Sequence, residues 1–390
     1  FPSEFPNPSL LCRWDCGWYE SIARQGYVSP YPPLHQNSEL SNVAFFPAYP
    51  LLGRALARTL RIPISAALPL VSILASILLS FVLARLLSRE TRTSRLVRYS
   101  ILVAYPATFY LFVSYSEAVY LAGMLGGAAL ILDSGKATTT KTMLLVSAAG
   151  LALGGTRLTG FVIPSFLALA ALLVSSRRTG RAVARDPLFR RSIVFLASAL
   201  SGIAAFFAFC QIRVGHWNLY FTQLRIGWYK EFSPIKALRL LLFHPFGPTL
   251  DYGTLQNQSR CLSWMGITTI LLVSLYAMAR ALPDGVRALR SGDRALLLRV
   301  ALVFAAFAHF FIVVCGDVGP WDLWGNGLRY PMPTVFLLAV AWRDEWTPRW
   351  IREKPVVRYS AIAGLAVVLA WLFALQWGYL GRFVRFEWVS

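Results

Sequence analysis

The residues best suited to chemistry stand near the start of the chain. The run Leu11-Cys12-Arg13-Trp14-Asp15-Cys16-Gly17-Trp18-Tyr19 sets one carboxylate among three aromatic rings. A carboxylate beside Trp14, Trp18 and Tyr19 would be partly desolvated, which makes it a better base. At helical spacing Asp15, Trp18, Tyr19 and Ile22 share a face. The same spacing equally suits an Asp that caps the helix starting after it. Further along, Glu117 follows Tyr115-Ser116 at a helix turn. There an acid could cap the helix, pair with an arginine or orient a hydroxyl. Arg157 lies in a short turn between two apolar runs, and Arg329 opens another beside Tyr330. Arginine at such positions is costly unless it is paired or snorkels outward. Asp317 and Asp322 flank Gly319-Pro320-Trp321, as a solvated loop or as acceptor ligands. There is no metal-type Cys/His cluster, no Gly-rich phosphate loop and no GxSxG.

The elements that must position these residues are membrane helices. Of the 390 residues, 56% are hydrophobic and 14% are charged, far below the quarter usual in soluble domains. Apolar runs fall near 66–84, 99–114, 117–132, 142–155, 158–175, 192–211, 264–281, 299–315, 329–342 and 359–378. A crossing helix needs roughly 20 apolar residues. The fold class expected is all-α, a polytopic transmembrane helical protein of about ten crossings. The chain starts at Phe1, not Met, and a further helix ahead of it is expected, making eleven. One transmembrane domain over 1–390 is expected, with 1–64 and 212–263 as its two long outer loops and interfacial helices in the first and later outer loops.

The net charge of +20 would suggest nucleic acid in a soluble protein. Here the basic residues sit in short loops between apolar runs, where they set orientation. No basic stripe carries the stacking aromatics of a nucleic-acid groove. Arg85 to Arg98, Lys136 and Lys141, Arg177 to Arg191, Arg280 to Arg299 and Arg343 to Arg358 mark one side. The positive-inside rule makes that side cytoplasmic. The ionisable and aromatic loop residues then face outward, where a donor must arrive already carried on a lipid. Leu51 to Ile62 sets Arg54, Arg58 and Arg61 opposite leucines, as an interfacial helix. Trp217 to Trp228 carries aromatics suited to the headgroup layer. The excess of Arg over Lys suggests a GC-rich, bacterial genome, hence the plasma membrane; in a eukaryote the endoplasmic reticulum would be expected. Asn257-Gln258-Ser259 is an N-glycosylation pattern that would matter only there.

The five cysteines, Cys12, Cys16, Cys210, Cys261 and Cys315, are read as buried thiols. Cys12 and Cys16 are one helical turn apart, poor geometry for pairing within a regular helix. A bridge from the first loop to Cys261 is the alternative on an oxidising face.

Three blocks resemble a known family. They are Arg13-Trp14-Asp15-x-Gly17-Trp18-Tyr19, Ile22-Ala23-x-x-Gly26-Tyr27, and Ser41-Asn42-Val43-Ala44-Phe45-Phe46-Pro47-x-Tyr49-Pro50. Together they resemble the GPI mannosyltransferase II (PIG-V type) family, especially its bacterial relatives, within the GT-C glycosyltransferases. The resemblance is dense over 13–54. It continues more weakly in Ser116-Glu117, Thr156 to Gly160, Gly215 to Trp228 and Arg329-Tyr330. It implies a GT-C-like fold for the one transmembrane domain, and transfer of mannose from a polyprenyl- or dolichyl-phosphate donor to a glycolipid or glycan on the outer or lumenal face. Asp15 would then be the general base of one inverting step. Arg157, Arg329, Tyr330 and Arg225 would hold the donor phosphate. Arg13, Trp14, Trp18, Tyr19, Glu117, His216, Gln223 and Trp228 would contact sugar or acceptor. No cofactor or metal is required, although some GT-C enzymes use a metal. The rival enzyme is a GT-C transferase for another lipid-linked sugar. The rival outside that class is a lipid flippase or transporter, but the apolar runs hold few acids and no repeat is seen.

Overall fold

The computed structural model describes residues 11–27, 41–133, 139–228, 230–243, 255–316, 328–348, 351 and 353–384. Asp317 and Asp322 lie outside them. The described residues form helices α1 (Asp15–Gln25), α2 (Ala48–Leu60), α3 (Ile64–Leu86), α4 (Arg92–Ala104), α5 (Glu117–Leu132), α6 (Thr140–Thr156) and α7 (Val162–Thr179). There follow α8 (Pro187–Val214), α9 (Leu219–Ile226), α10 (Pro234–Phe243), α11 (Leu255–Ser291), α12 (Arg294–Gly316), α13 (Met332–Ala341) and α14 (Pro355–Val384). Short 3-10 turns link several of them. The protein is all-helical among these residues, as the composition predicts.

Five helical segments are long and apolar enough to cross a membrane: Ile64–Leu86, Leu158–Arg177, Pro187–Val214, Ser263–Ser291 and Arg294–Gly316. Glu117–Leu132, Met332–Ala341 and Ala363–Gly378 are shorter apolar helices. The protein is an integral, multi-pass membrane protein. The helix starts obey local chemistry. Thr91 and Thr139 cap α4 and α6 through their side chains, and Asp186 caps α8 ahead of Pro187. Gly215, at φ 81°, ends α8 in the left-handed conformation open to glycine.

The run 99–114 is not one span. Pro106 disfavours helix at Tyr105, which is extended at φ −60°, ψ 126°, and α4 stops at Ala104. The irregular backbone that follows is tolerated because its carbonyls are satisfied by side chains. Ser72 and Ser76 of α3 donate to the carbonyls of Tyr115 (3.0 Å) and Leu111 (2.6 Å). Thr108 donates to the Leu102 carbonyl at 2.6 Å. The stretch 212–263 carries helices, as expected of it: α9, α10 and the first turns of α11 fall within it.

Close helix approach sets the frame. A side chain at Gly150 or Gly202 would come within 2.7 Å of the Phe195 carbonyl and 2.8 Å of the Gly155 nitrogen. Glycine there lets α6 and α8 meet backbone to backbone. Helix α2 lies on α3: the Tyr49 hydroxyl donates to the Leu68 carbonyl at 2.8 Å and lies 3.0 Å from the Ser72 hydroxyl. Its outer face exposes Leu51, Leu52 and Leu60, as an interfacial helix should. Arg54 instead turns inward to cap α1, donating to the Ala23 (2.6 Å) and Arg24 (2.9 Å) carbonyls. At the end of α5 remote from Glu117, Asp133 pairs with Arg85. At that same end of the bundle Glu90 binds Arg98 and Arg299, Asp186 binds Arg294, and Asp284 binds Arg287 and Arg343.

Candidate active site

The site begins with an unusual turn. Trp14 takes φ 52°, ψ −115°, and the Arg13 carbonyl accepts from the Cys16 amide (3.1 Å) and the Tyr115 hydroxyl (2.9 Å). Asp15 is thereby the first residue of α1 rather than its cap, and the cap position, Trp14, offers no side-chain bond. The expectation of unpaired thiols is corrected here: Cys12 and Cys16 form a disulfide, with Cα atoms 5.2 Å apart. Cys12 precedes the helix, and the Trp14 turn folds it back. A regular helix would have prevented the pairing. Cys210 and Cys315 are free and buried. The Cys261 side chain lies outside the described residues.

The Asp15 carboxylate turns away from its own helix. Its Oδ2 lies 2.6 Å from Nη1 of Arg329. Nε of the same guanidinium donates to Oε1 of Glu117, and Nη2 of Arg157 donates to that same oxygen. Glu117 opens α5 and is fully buried, where the helix N-terminus also favours its charge. The other oxygen, Oε2, is buried with no hydrogen-bond partner among the described residues. Asp15, Glu117, Arg157 and Arg329 therefore form one chain of charges drawn from four distant segments.

Tyrosine rings line the two guanidinium groups. The Arg329 guanidinium stands over Tyr115 at 4.4 Å, Tyr110 at 4.9 Å and Tyr330 at 5.5 Å. Arg157 stands over Tyr120 at 5.4 Å and Tyr330 at 5.7 Å. Lys230 Nζ lies 4.7 Å from the Tyr330 ring centre and 3.4 Å from its hydroxyl. Tyr330 is thus shared by three cations. Each gains from the electron-rich ring face while it is withdrawn from water. The Tyr19 hydroxyl lies 3.0 Å from the Ser116 hydroxyl. Burial first, and the Glu117 carboxylate second, hold that phenol well above its ordinary range, so it stays neutral.

The segment carrying Gln223 and Trp228 joins through Phe45. Trp18 stacks on Phe45 at 6.2 Å, Tyr19 meets it edge-on at 5.2 Å, and Trp228 does so at 5.8 Å. Gln223 of α9 is fully buried and packs over Gly227, where any side chain would strike its amide. Neither amide atom of Gln223 has a hydrogen-bond partner among the described residues, nor does the Trp228 indole N–H, whose nitrogen is buried. Arg13 is buried and Trp14 half-buried.

The structure therefore brings Asp15, Glu117, Arg157, Arg329 and Tyr330 together, with Tyr19, Trp18, Gln223 and Trp228 on one flank. It does not bring in His216 or Arg225, which are exposed and make no side-chain bond to the cluster. Sequence reasoning missed Lys230, Tyr110, Tyr115 and Tyr120. A signal was there: tyrosines recur at 105, 110, 115 and 120 across the helix break at Pro106. Among the described residues no group of three His, Cys, Asp or Glu gathers as a metal would need.

No family model matches the sequence, and no curated sequence is similar to it. Solved structures are similar. The chain resembles ArnT from Cupriavidus metallidurans, crystallised bound to undecaprenyl phosphate, with a TM-score of 0.50 and 14% identity over 96% of this chain and 67% of that one. It is also similar to the archaeal oligosaccharyltransferase AglB from Archaeoglobus fulgidus, in complex with an inhibitory peptide and a dolichol-phosphate. That likeness has a TM-score of 0.44 and 14% identity over 96% of this chain and 52% of that one, and nothing is argued from it. The first likeness establishes a GT-C-like fold.

Proposed function

We propose that this protein is a glycosyltransferase that moves a sugar, mannose as the first choice, from a polyprenyl- or dolichyl-phosphate to a glycolipid or lipid-linked glycan. One observation carries the reading: Asp15 and Glu117 hold two stacked arginines, Arg329 and Arg157, with Lys230 alongside. Two guanidinium groups and one ammonium gather around the Tyr330 ring, a setting that suits an anion. A phosphate is the anion that guanidinium forks fit best. The ArnT-like fold and the resemblance of residues 13–54 to PIG-V type enzymes point the same way.

In this mechanism the donor phosphate takes Arg329 and Arg157 as partners and releases Asp15. The Asp15 carboxylate then accepts the proton of the acceptor hydroxyl. The oxygen forms its bond to the anomeric carbon as the bond from that carbon to the phosphate oxygen breaks. Polyprenyl phosphate leaves with the electron pair, and its growing charge is met by fixed cations. One displacement inverts the anomeric centre. The basic loops lie at the end of the bundle remote from Asp15, which by the positive-inside rule supports a site on the outer or lumenal face.

The test is transfer of labelled mannose from polyprenyl-phosphate-mannose into membrane lipids, with wild type beside Asp15→Asn. Wild type should transfer, and Asp15→Asn should lose about 10²- to 10⁴-fold in rate, the usual worth of a positioned base. Transfer of glucose or arabinose alone would correct the sugar. No transfer from any polyprenyl-phosphate sugar would overturn the assignment.

A further inference from the structure

The first turn of α1 holds a bond that the mechanism does not use. The disulfide from Cys12 to Cys16 encloses Arg13, Trp14 and Asp15, three residues on the approach to the Arg329 pair. Trp14, inside that ring, sits at φ 52°, ψ −115°, a conformation that a residue with a bulky side chain adopts only when its surroundings enforce it. The enclosed segment is also clamped to the strip carrying Glu117. The Ser114 amide donates to the Leu11 carbonyl at 3.0 Å, and the Tyr115 hydroxyl to the Arg13 carbonyl at 2.9 Å. Both cysteines are buried, Cys12 at 4% and Cys16 at 0% exposure. A bond closing so short a loop removes little freedom from the unfolded chain. Its contribution is therefore local geometry more than global stability.

We infer that the Cys12–Cys16 disulfide is a positioning element: it holds the Trp14 turn so that the Asp15 carboxylate points at Arg329 instead of capping α1. Without the bond, Trp14 relaxes to an ordinary backbone conformation, the Cys16 and Gly17 amides lose the Arg13 and Trp14 carbonyls that this turn gives them, and Asp15 rotates back to cap them. Such a bond persists only on an oxidising face, which agrees with the side on which positive-inside counting sets residues 1–64. The inference rests on the transferase reading for its kinetic consequence but not for its geometry.

The experiment uses full-length protein in detergent or vesicles. Alkylation of the denatured protein without reduction, followed by peptide mass analysis, should leave Cys12 and Cys16 unlabelled; alkylation of both would overturn the inference. Sugar transfer is then compared between wild type and the double variant Cys12→Ser, Cys16→Ser. The expected result is a fall of at least tenfold in kcat, with KM for the lipid-phosphate sugar within about twofold and a fall in melting temperature no larger than that of Asp15→Asn. If the double variant folds poorly, wild type is reduced with a phosphine and reoxidised: kcat should fall and recover, while a variant lacking Cys261 behaves like wild type. Unchanged kcat after loss of the bond would overturn the positioning role. Absence of transfer by wild type instead defeats the transferase reading, and the geometry is then read from stability alone. Asp15→Asn should lower the melting temperature with the disulfide intact and by less than half as much without it. Equal shifts in the two backgrounds would overturn the inference.

Discussion

Arg329 Nη1 lies 2.6 Å from Asp15 Oδ2, although 314 residues separate the two in the chain. Nε of the same guanidinium holds Glu117, so Arg329 ties the first described helix to α5 and to the segment before α13. Buried charge of this kind stabilises only while every partner is present.

Glu117→Gln should be severely destabilising. The substitution leaves Arg157 and Arg329 buried with one carboxylate fewer between them. Removing one partner of a buried pair costs about 3–5 kcal/mol. Thermal unfolding in detergent, followed by fluorescence or light scattering, should show a large fall in melting temperature. A variant as stable as wild type would mean that the arginines find other partners.

Lys230→Met should weaken donor binding. Lys230 touches the ring and the hydroxyl of Tyr330, the ring that Arg157 and Arg329 also share. A hydrogen bond to a charged group is worth about 1.5–3 kcal/mol, so KM for the lipid-phosphate donor should rise about tenfold or more. Steady-state kinetics across donor concentration checks this. An unchanged KM would remove Lys230 from the anion site.

Gln223→Met should separate stability from function. The amide is buried with both polar atoms unpartnered among the described residues, a loss of about 1–3 kcal/mol that methionine avoids. Melting temperature should hold or rise while KM for sugar or acceptor increases. Stability and KM both unchanged would show that the amide meets no ligand.

Gly154→Ala should unfold the bundle locally, because a methyl group there would strike the backbone of Ala199. Overpacking costs about 1–3 kcal/mol, and more where backbone must move. Gly126→Ala in α5 is the control: nothing lies within 4 Å of its added carbon, and helix propensity favours alanine by about 0.5–1 kcal/mol. Opposite shifts in melting temperature are expected.

Much of this was legible in the sequence, for reasons tied to particular residues. Long apolar runs such as 192–211 announce a helix because hydrocarbon permits little else, and α8 covers that run entirely. The run 99–114 misled because hydropathy counts Pro106 as one residue among many, while its backbone effect ends α4. The charges of Asp15, Glu117, Arg157 and Arg329 stood out singly, since each is expensive at its depth. The convergence of the two arginines on one Glu117 oxygen did not, because pairing across 212 residues (Glu117 with Arg329) leaves no local pattern. The disulfide was misjudged from spacing that assumed helix at Cys12. Lys230 was hidden by its setting in a segment read as loop.

Helix α2 has a consequence for where in the membrane the chemistry takes place. Its exposed leucines, Leu51, Leu52 and Leu60, seek the boundary between acyl chains and headgroups, while Arg54 fastens its inner side to the last carbonyls of α1. The helix that begins with Asp15 is therefore moored like a float, at a fixed height along the membrane normal. A phosphate borne on a long isoprenoid tail is confined to much the same height. On the proposed function, the search of enzyme for donor becomes lateral diffusion in a plane, and bilayer thickness becomes a variable to which the rate should respond.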